Sequence, residues 1–260
     1  MRFSARAAAA VAALPLVLGV AACGIEDTAG GGTKPPASKP TAAPLKAPAR
    51  LTLANFSPAM NAANAKATSM ESVLRINSDG QVVTMTMAQT LKPFATKLDM
   101  SSAALGGAAH VIAIKGTLYV SAPNAAPAGK YLKINLKTTK DPALASLGEM
   151  LEGADPVKSV KSWDKALRKV KFVKTETLGF RQVNRYQLTV DNAVAYGVSA
   201  KKLSAVGLPK LSVYTVWVGA DNLMYKMAYK MGAMDMQVTV SSYNATDTIK
   251  PPPANKIVTR

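Results

Sequence analysis

The chain has few groups with which to coordinate a metal or cut a bond. Its 260 residues include one cysteine and one histidine, so no intrachain disulfide forms and no Cys/His cluster holds a structural zinc. Aromatic residues make up 6% and are not grouped with Gly and Arg as base-stacking platforms, which argues against a nucleic-acid reader. Walker loops, GxGxxG and the GxSxG elbow are all missing, and Gly30–Gly32 run into a proline-rich stretch instead of a helix. His110 sits inside an apolar strand pattern, with Ser101 and Ser102 upstream, and reads as a strand residue. Glu149 and Glu152 lie one helical turn apart and read as a solvated helix face. Repeated βαβ units, which a two-lobed solute-binding protein requires, are absent too. The expectation is a non-enzyme without cofactor or metal. A hydrophobic content of 48% nevertheless excludes a disordered polyelectrolyte.

What is present begins at the N-terminus. Arg2 and Arg6 precede an apolar run from Ala7 to Val20, broken only by Pro15 and Gly19. That run is shorter than the roughly 20 residues a membrane-spanning helix needs and fits the apolar region of an export signal. It ends in Val20-Ala21-Ala22-Cys23, which resembles the bacterial lipobox. The resemblance implies diacylglyceryl transfer to the Cys23 sulfur and cleavage after Ala22, with acylation of the new amine as an optional further step. Stable anchoring takes two acyl chains or more, so residues 1–22 are expected to be a signal peptide and Cys23 a membrane anchor on the outer face of the cell membrane.

Thr28 to Arg50 (TAGGGTKPPASKPTAAPLKAPAR) contains five prolines and no aromatic residue. Such a segment cannot bury enough apolar surface to offset its ordering entropy. Residues 23–50 therefore read as a tether, whose proline-rich part spans about 26 Å as a coil and up to about 71 Å as polyproline II. A folded domain is expected over 51–249, followed by a tail over 250–260 that opens with Lys250-Pro251-Pro252-Pro253. Residues 51–260 hold 26 cations against 13 anions. That excess reads either as attraction to anionic lipid headgroups or envelope polymers or as a solubilising surface.

Within the domain, Ser57-Pro58 predicts a helix start, with Ser as cap and Pro in the first turn, running to about Thr68. Alternation predicts strands at Gln81–Ala88, around Leu98 and Met100, at His110–Ile114, Leu118–Val120 and Tyr131–Lys137. Asp141-Pro142 and Asp155-Pro156 are two helix-start signals. The first places Leu144, Leu147 and Leu151 on one face, and the second places Val157, Val160, Trp163 and Leu167 together and ends with Lys165, Arg168 and Lys169. Strands resume at Phe172, Val183–Val190, Leu211–Val218, Leu223–Met231 and Met234–Tyr243. Short connections imply antiparallel pairing. The expected class is α+β: a wide curved antiparallel sheet with helices covering one face around an apolar cavity.

Eight of twelve methionines fall in these strands, where a flexible, polarizable side chain suits irregular apolar partners. Alternation nominates as cavity lining Val83, Met85, Met87, Leu98, Met100, Ile112, Ile114, Leu118, Val120, Leu144, Leu147, Leu151, Val160, Trp163, Leu188, Trp217, Met227 and Met236. The order of motifs over about residues 55–255 carries a resemblance: an Ala-rich helix, IKGTLYVSAP, an ADP-led helix, TLGFRQVNRYQLTVD, GLPKLSVYTVWVGADNLMYKMAY and SYN…IKPPPA, all behind a lipobox and a proline-rich tether. Together they resemble the LppX/LprG family of actinobacterial lipoproteins, which share a half-barrel with LolA-type lipoprotein carriers. The resemblance implies a lipid cavity and a role in binding lipids or glycolipids and moving them across the envelope. A diacyl lipid with about 30 methylenes would lose about 24 kcal/mol on entering water, which is why such cargo needs a carrier. The chain is expected to be a monomer, and the competing expectation is a lipoprotein module that recognises a protein or an envelope polymer and carries no lipid.

Overall fold

In the computed structural model, residues 48–102, 107–123, 125–136, 138–139, 163–205 and 208–259 are described. The lipobox, Cys23, the tether up to residue 47, and Leu144, Leu147, Leu151 and Val160 with the segments predicted to carry them, lie outside the described residues.

Two antiparallel meanders build one curved, unclosed sheet of twelve strands. The first comprises β1 (Ser69–Ser78), β2 (Gln81–Leu91), β3 (Phe94–Ser102), β4 (Gly107–Ile114), β5 (Thr117–Ser121) and β6 (Tyr131–Asn135). The second comprises β7 (Leu167–Leu178), β8 (Arg181–Asp191), β9 (Leu211–Gly219), β10 (Met224–Met231) and β11 (Met234–Tyr243). The meanders join where the first and last long strands, β1 and β11, pair antiparallel. β12 (Ile257–Val258) adds parallel to the edge of β6, so the expected tail ends as a sheet edge.

Among the described residues the sheet is accompanied by the short helices α1 (Phe56–Asn64), α2 (Asn192–Tyr196) and α3 (Ala200–Ala205). The expected helix after Ser57 forms, but its cap position is Asn55, whose carboxamide oxygen accepts from Thr52 N at 2.6 Å instead of from the helix. Ser57 is buried in the first turn. The helix also stops before Thr68, whose N–H donates to Asn244 Oδ1 at 2.7 Å and so leads straight into β1. Alternation alone does not mark β1, because Ser72 occupies an inward position between Met70 and Leu74.

The second predicted helix ends earlier than expected. Residues 163–166 are helical and β7 begins at Leu167, so Arg168 and Lys169 belong to a strand. Register shifts at Leu167/Lys169 and Phe172/Lys174 insert extra residues that disturb the two-residue period, which leaves apolar spacings that imitate a helix.

Candidate functional site

Cross-strand partners share a face of the sheet, so the pairing register sorts every side chain. One long row runs Tyr186, Val216, Met227, Val238, Leu74, Met85, Met100 and Ala109. This is the inner face, against which Phe56 and Met60 of α1 and Trp163 pack.

Over the second meander the inner face is filled with aromatic rings. Tyr214 and Tyr229 stack at 4.5 Å, Trp163 lies 5.0 Å from Tyr214, and Phe56 and Phe172 meet Tyr186 edge-on at 5.6 and 5.8 Å. Burial, with the neighbouring Tyr229, pushes the Tyr214 hydroxyl up to about 12. The polar atoms at this end pair with one another: Asn192 Nδ2 donates to Ser212 Oγ at 2.6 Å, and Ser212 Oγ lies 2.9 Å from Tyr229 Oη. A hollow of about 30 Å³ remains between Phe56, Met60, Trp163, Leu188, Val216 and Met224, room for no more than about two waters. Trp163 lines it, and its buried indole N–H has no hydrogen-bond partner among the described residues.

The first meander is different. Its inner face is mostly aliphatic, with Met87, Leu98, Val111 and Leu118 buried beside the polar pair Gln89 and Thr96 and Val120 and Ile134 half-buried. At the β1–β2 hairpin end, half-buried Ile76, Val83, Met85 and Met100 form a band. Met231 and Met234 extend it on the neighbouring β10–β11 hairpin.

The eighteen nominated lining residues therefore divide. Met87, Leu98, Leu118, Trp163, Leu188, Met227 and Met236 belong to the buried core cluster. Val83, Met85, Met100 and Val120 are the partly exposed inner-face members. Ile112, Ile114 and Trp217 require correction, because their register partners Lys97, Ala95 and Arg185 place them on the outer face. Hydrophobicity suggested inward positions for them, but strand parity sends them the other way.

On the outer face the Trp217 indole N–H donates to Glu176 Oε1 at 2.7 Å, with Lys226 Nζ 5.0 Å from the ring centroid. Burial works to raise the Glu176 carboxyl, but Lys174, Trp217 and Arg185 outweigh it and hold the group below its ordinary value. His110 Nδ1 lies 2.5 Å from Asp99 Oδ1, and Lys97 bridges the same carboxylate at 3.0 Å. Here too burial opposes the ionised form, and the hydrogen bonds from His110 and Lys97 prevail and lower the Asp99 carboxyl. His110 borders an open cleft of about 640 Å³ with Ser121, Tyr131 and Lys256. Among the described residues no group of three or more His, Cys, Asp or Glu converges on one point, and no helix is long and apolar enough to cross a membrane.

One connection lay beyond sequence reasoning. Asn184 Nδ2 donates to the carbonyls of Pro48 and Ala49 at 3.1 and 3.0 Å, and Leu51 N donates to Tyr186 Oη at 2.9 Å. The Arg50 guanidinium lies 4.1 Å over the Phe172 ring. Residues 48–50, expected to belong to the tether, are therefore docked on β7 and β8. The available signal was Asn184, a polar residue at an inward position of β8.

No protein-family model matches the chain, and neither does any curated protein sequence. Solved structures do. LprF from Mycobacterium bovis aligns at 11% identity over 77% of this chain and 96% of its own, with a TM-score of 0.52. The lipoprotein LppX from Mycobacterium tuberculosis aligns at 12% identity over 76% of this chain and 98% of its own, with a TM-score of 0.49. At such identities the likeness is one of fold, and this chain shares with LprF the fold of a wide, unclosed, curved antiparallel sheet.

Proposed function

We propose that the chain is an exported lipoprotein, anchored through Cys23 to the outer face of the cell membrane, that binds lipid or glycolipid acyl chains and carries them across the envelope. The observation that carries this reading is the half-buried band of Ile76, Val83, Met85 and Met100 on the inner face of the half-barrel. Water contact along such a band is unfavourable, and flexible methionines accept acyl chains of varied shape. The unpartnered Trp163 N–H offers a single donor for an ester carbonyl beside the packed half. A second reading, a recognition module without lipid cargo, is favoured by the water-sized hollow over the second meander.

Native mass spectrometry of the full chain, released from membranes in mild detergent, separates the two. The expected result is co-purifying lipid in the wild type, reduced at least about tenfold by Met85→Glu with Met100→Glu, since each charge would have to be buried against hydrocarbon. Met85→Ala with Met100→Ala serves as the gentler pair should the charged one fail to fold. Wild-type protein free of lipid, or lipid retained undiminished by both pairs, would overturn the carrier reading. Cys23→Ala is expected to move the protein from the membrane to the soluble fraction, and unchanged fractionation refutes the anchor.

A further inference from the structure

The outer face of the second meander is strongly and unevenly charged. Lys169, Lys171, Lys174 and Arg185 alternate outward on β7 and β8, and Lys226 and Lys230 do so on β10. Arg181 shares the outward parity on β8, and against these cations the same outer face of β7–β11 presents three carboxylates, Glu176, Asp191 and Asp235. These three pair with Lys174, Arg185, Arg168 and Lys230, while Lys169 and Lys171 lie exposed on β7. The corresponding face of β2–β6 carries only Lys97, Lys133 and His110 with Asp99, beside apolar Ile112 and Tyr119. In the middle of the basic field sits Trp217, half-exposed between Arg185 and Lys226. An indole flanked by cations is the side-chain set that settles at a membrane's headgroup level.

The chain also enters the domain on this half. Pro48, Ala49 and Leu51 are tied to Asn184 and Tyr186 of β8. The 25 residues from Cys23 to Ala47 span roughly 27 Å as a coil and up to roughly 78 Å as polyproline II, so an anchor at Cys23 brings this half within reach of the bilayer.

We infer that the outer face of β7–β11 docks reversibly on an anionic lipid surface, with Trp217 at the headgroup level. Docking turns this basic face to the bilayer, while the β1–β2 hairpin band lies on the opposite, inner face of the sheet. The inference rests on the proposed anchor but not on lipid cargo.

Trp217 and Trp163 are the two tryptophans of the chain, so fluorescence reads the docking directly. The full lipidated chain is placed in vesicles of phosphatidylcholine alone or mixed with phosphatidylglycerol, with bromine near the headgroup end of the acyl chains. Quenching is expected only with phosphatidylglycerol, decreasing as salt is raised, and absent from Trp217→Phe. Each cation near an anionic surface contributes about fivefold to the docking constant. Lys169→Gln, Lys171→Gln and Lys226→Gln together should therefore weaken docking about a hundredfold. The charge-matched set Lys97→Gln, Lys115→Gln and Lys133→Gln should change it less than about fivefold. Equal quenching with and without phosphatidylglycerol, or equal loss in both triple variants, overturns the inference. So does protection of Trp217 by a soluble polyanion with no quenching on vesicles, which assigns the face to a polymer. Quenching that persists in Trp217→Phe reports Trp163 and hence cargo, so uptake and docking fail separately. Detachment from phosphatidylcholine vesicles would refute the anchor while leaving the phosphatidylglycerol arm to decide docking.

Discussion

The two meanders share a sheet and a strand period but solve opposite problems. Inside, β8–β10 stack Tyr186, Tyr214 and Tyr229 under Phe56 and Trp163, whereas the hairpin end of β1–β3 leaves methionine and aliphatic side chains half-exposed. Outside, the aromatic half is basic and the aliphatic half nearly neutral. Rigid rings closing a packed core give a platform, and flexible methionines along an open band give a surface that adapts. A single continuous sheet thus holds a stable half and a permissive half without a domain boundary.

The largest test of that division is truncation on each side. Tyr186→Ala removes a fully buried ring that touches both Phe56 and Phe172 and should cost about 4 kcal/mol in urea denaturation. Met85→Ala, on the half-exposed band, should cost about 1 kcal/mol. Equal losses would mean that the first meander is as tightly packed as the second, and the proposed acyl-binding band would have no special status.

Much of this contrast was open to reading in advance, and the exceptions have physical causes. Alternation located β2 to β6 and β8 to β11 because a half-buried strand repeats every two residues. It marked β7 only at Phe172, because bulges after Leu167 and Phe172 break the period, and it missed β1, where inward Ser72 hides it. It placed Met85 and Met100 on one face correctly, since they pair directly. It misplaced Trp217, Ile112 and Ile114, because a residue's hydrophobicity does not reveal which parity faces the helices. Nor does alternation separate filled space from half-open space. Met87 and Met85 differ by one step along the same face, yet one is 1% exposed and the other half-buried. The edge pairing of Ile257 and Val258 with β6 had no local signal at all, because a two-residue parallel strand depends on its partner for identity.

A smaller effect tests how the platform holds its leader. Tyr186→Phe keeps the ring but removes the hydroxyl that accepts from Leu51 N and from Asn184 Nδ2. A buried donor left without its acceptor costs about 1–2 kcal/mol, and the loss falls on residues 48–51. Trypsin cleavage after Arg50 should accelerate, because its backbone is released from β8, while global unfolding changes less than in Tyr186→Ala. Met85→Ala should leave that cleavage rate unchanged. Acceleration in both would mean that the leader's docking depends on the whole sheet and not on the second meander.

The smallest expected effect separates the two outer-face ion networks by pH. In the folded chain Glu176 is held below its ordinary value, burial notwithstanding, by Lys174, Trp217 and Arg185. A carboxyl whose folded pKa lies below its unfolded one, ordinarily about 4.3, contributes stability above the unfolded value. That contribution is lost as pH falls through the folded pKa. Protonation also weakens the bond from Trp217 Nε1 to Glu176 Oε1. Trp217 emission should therefore titrate with a midpoint below about 4.3, and Glu176→Gln should abolish the transition. Asp99 is lowered in the same direction, against its burial, by His110 and Lys97, but it lies on the first meander. Asp99→Asn should therefore leave the Trp217 titration in place. If Asp99→Asn shifted the midpoint as far as Glu176→Gln removes it, the two halves would be electrostatically coupled across the sheet, and the basic face of β7–β11 would not act as an independent surface.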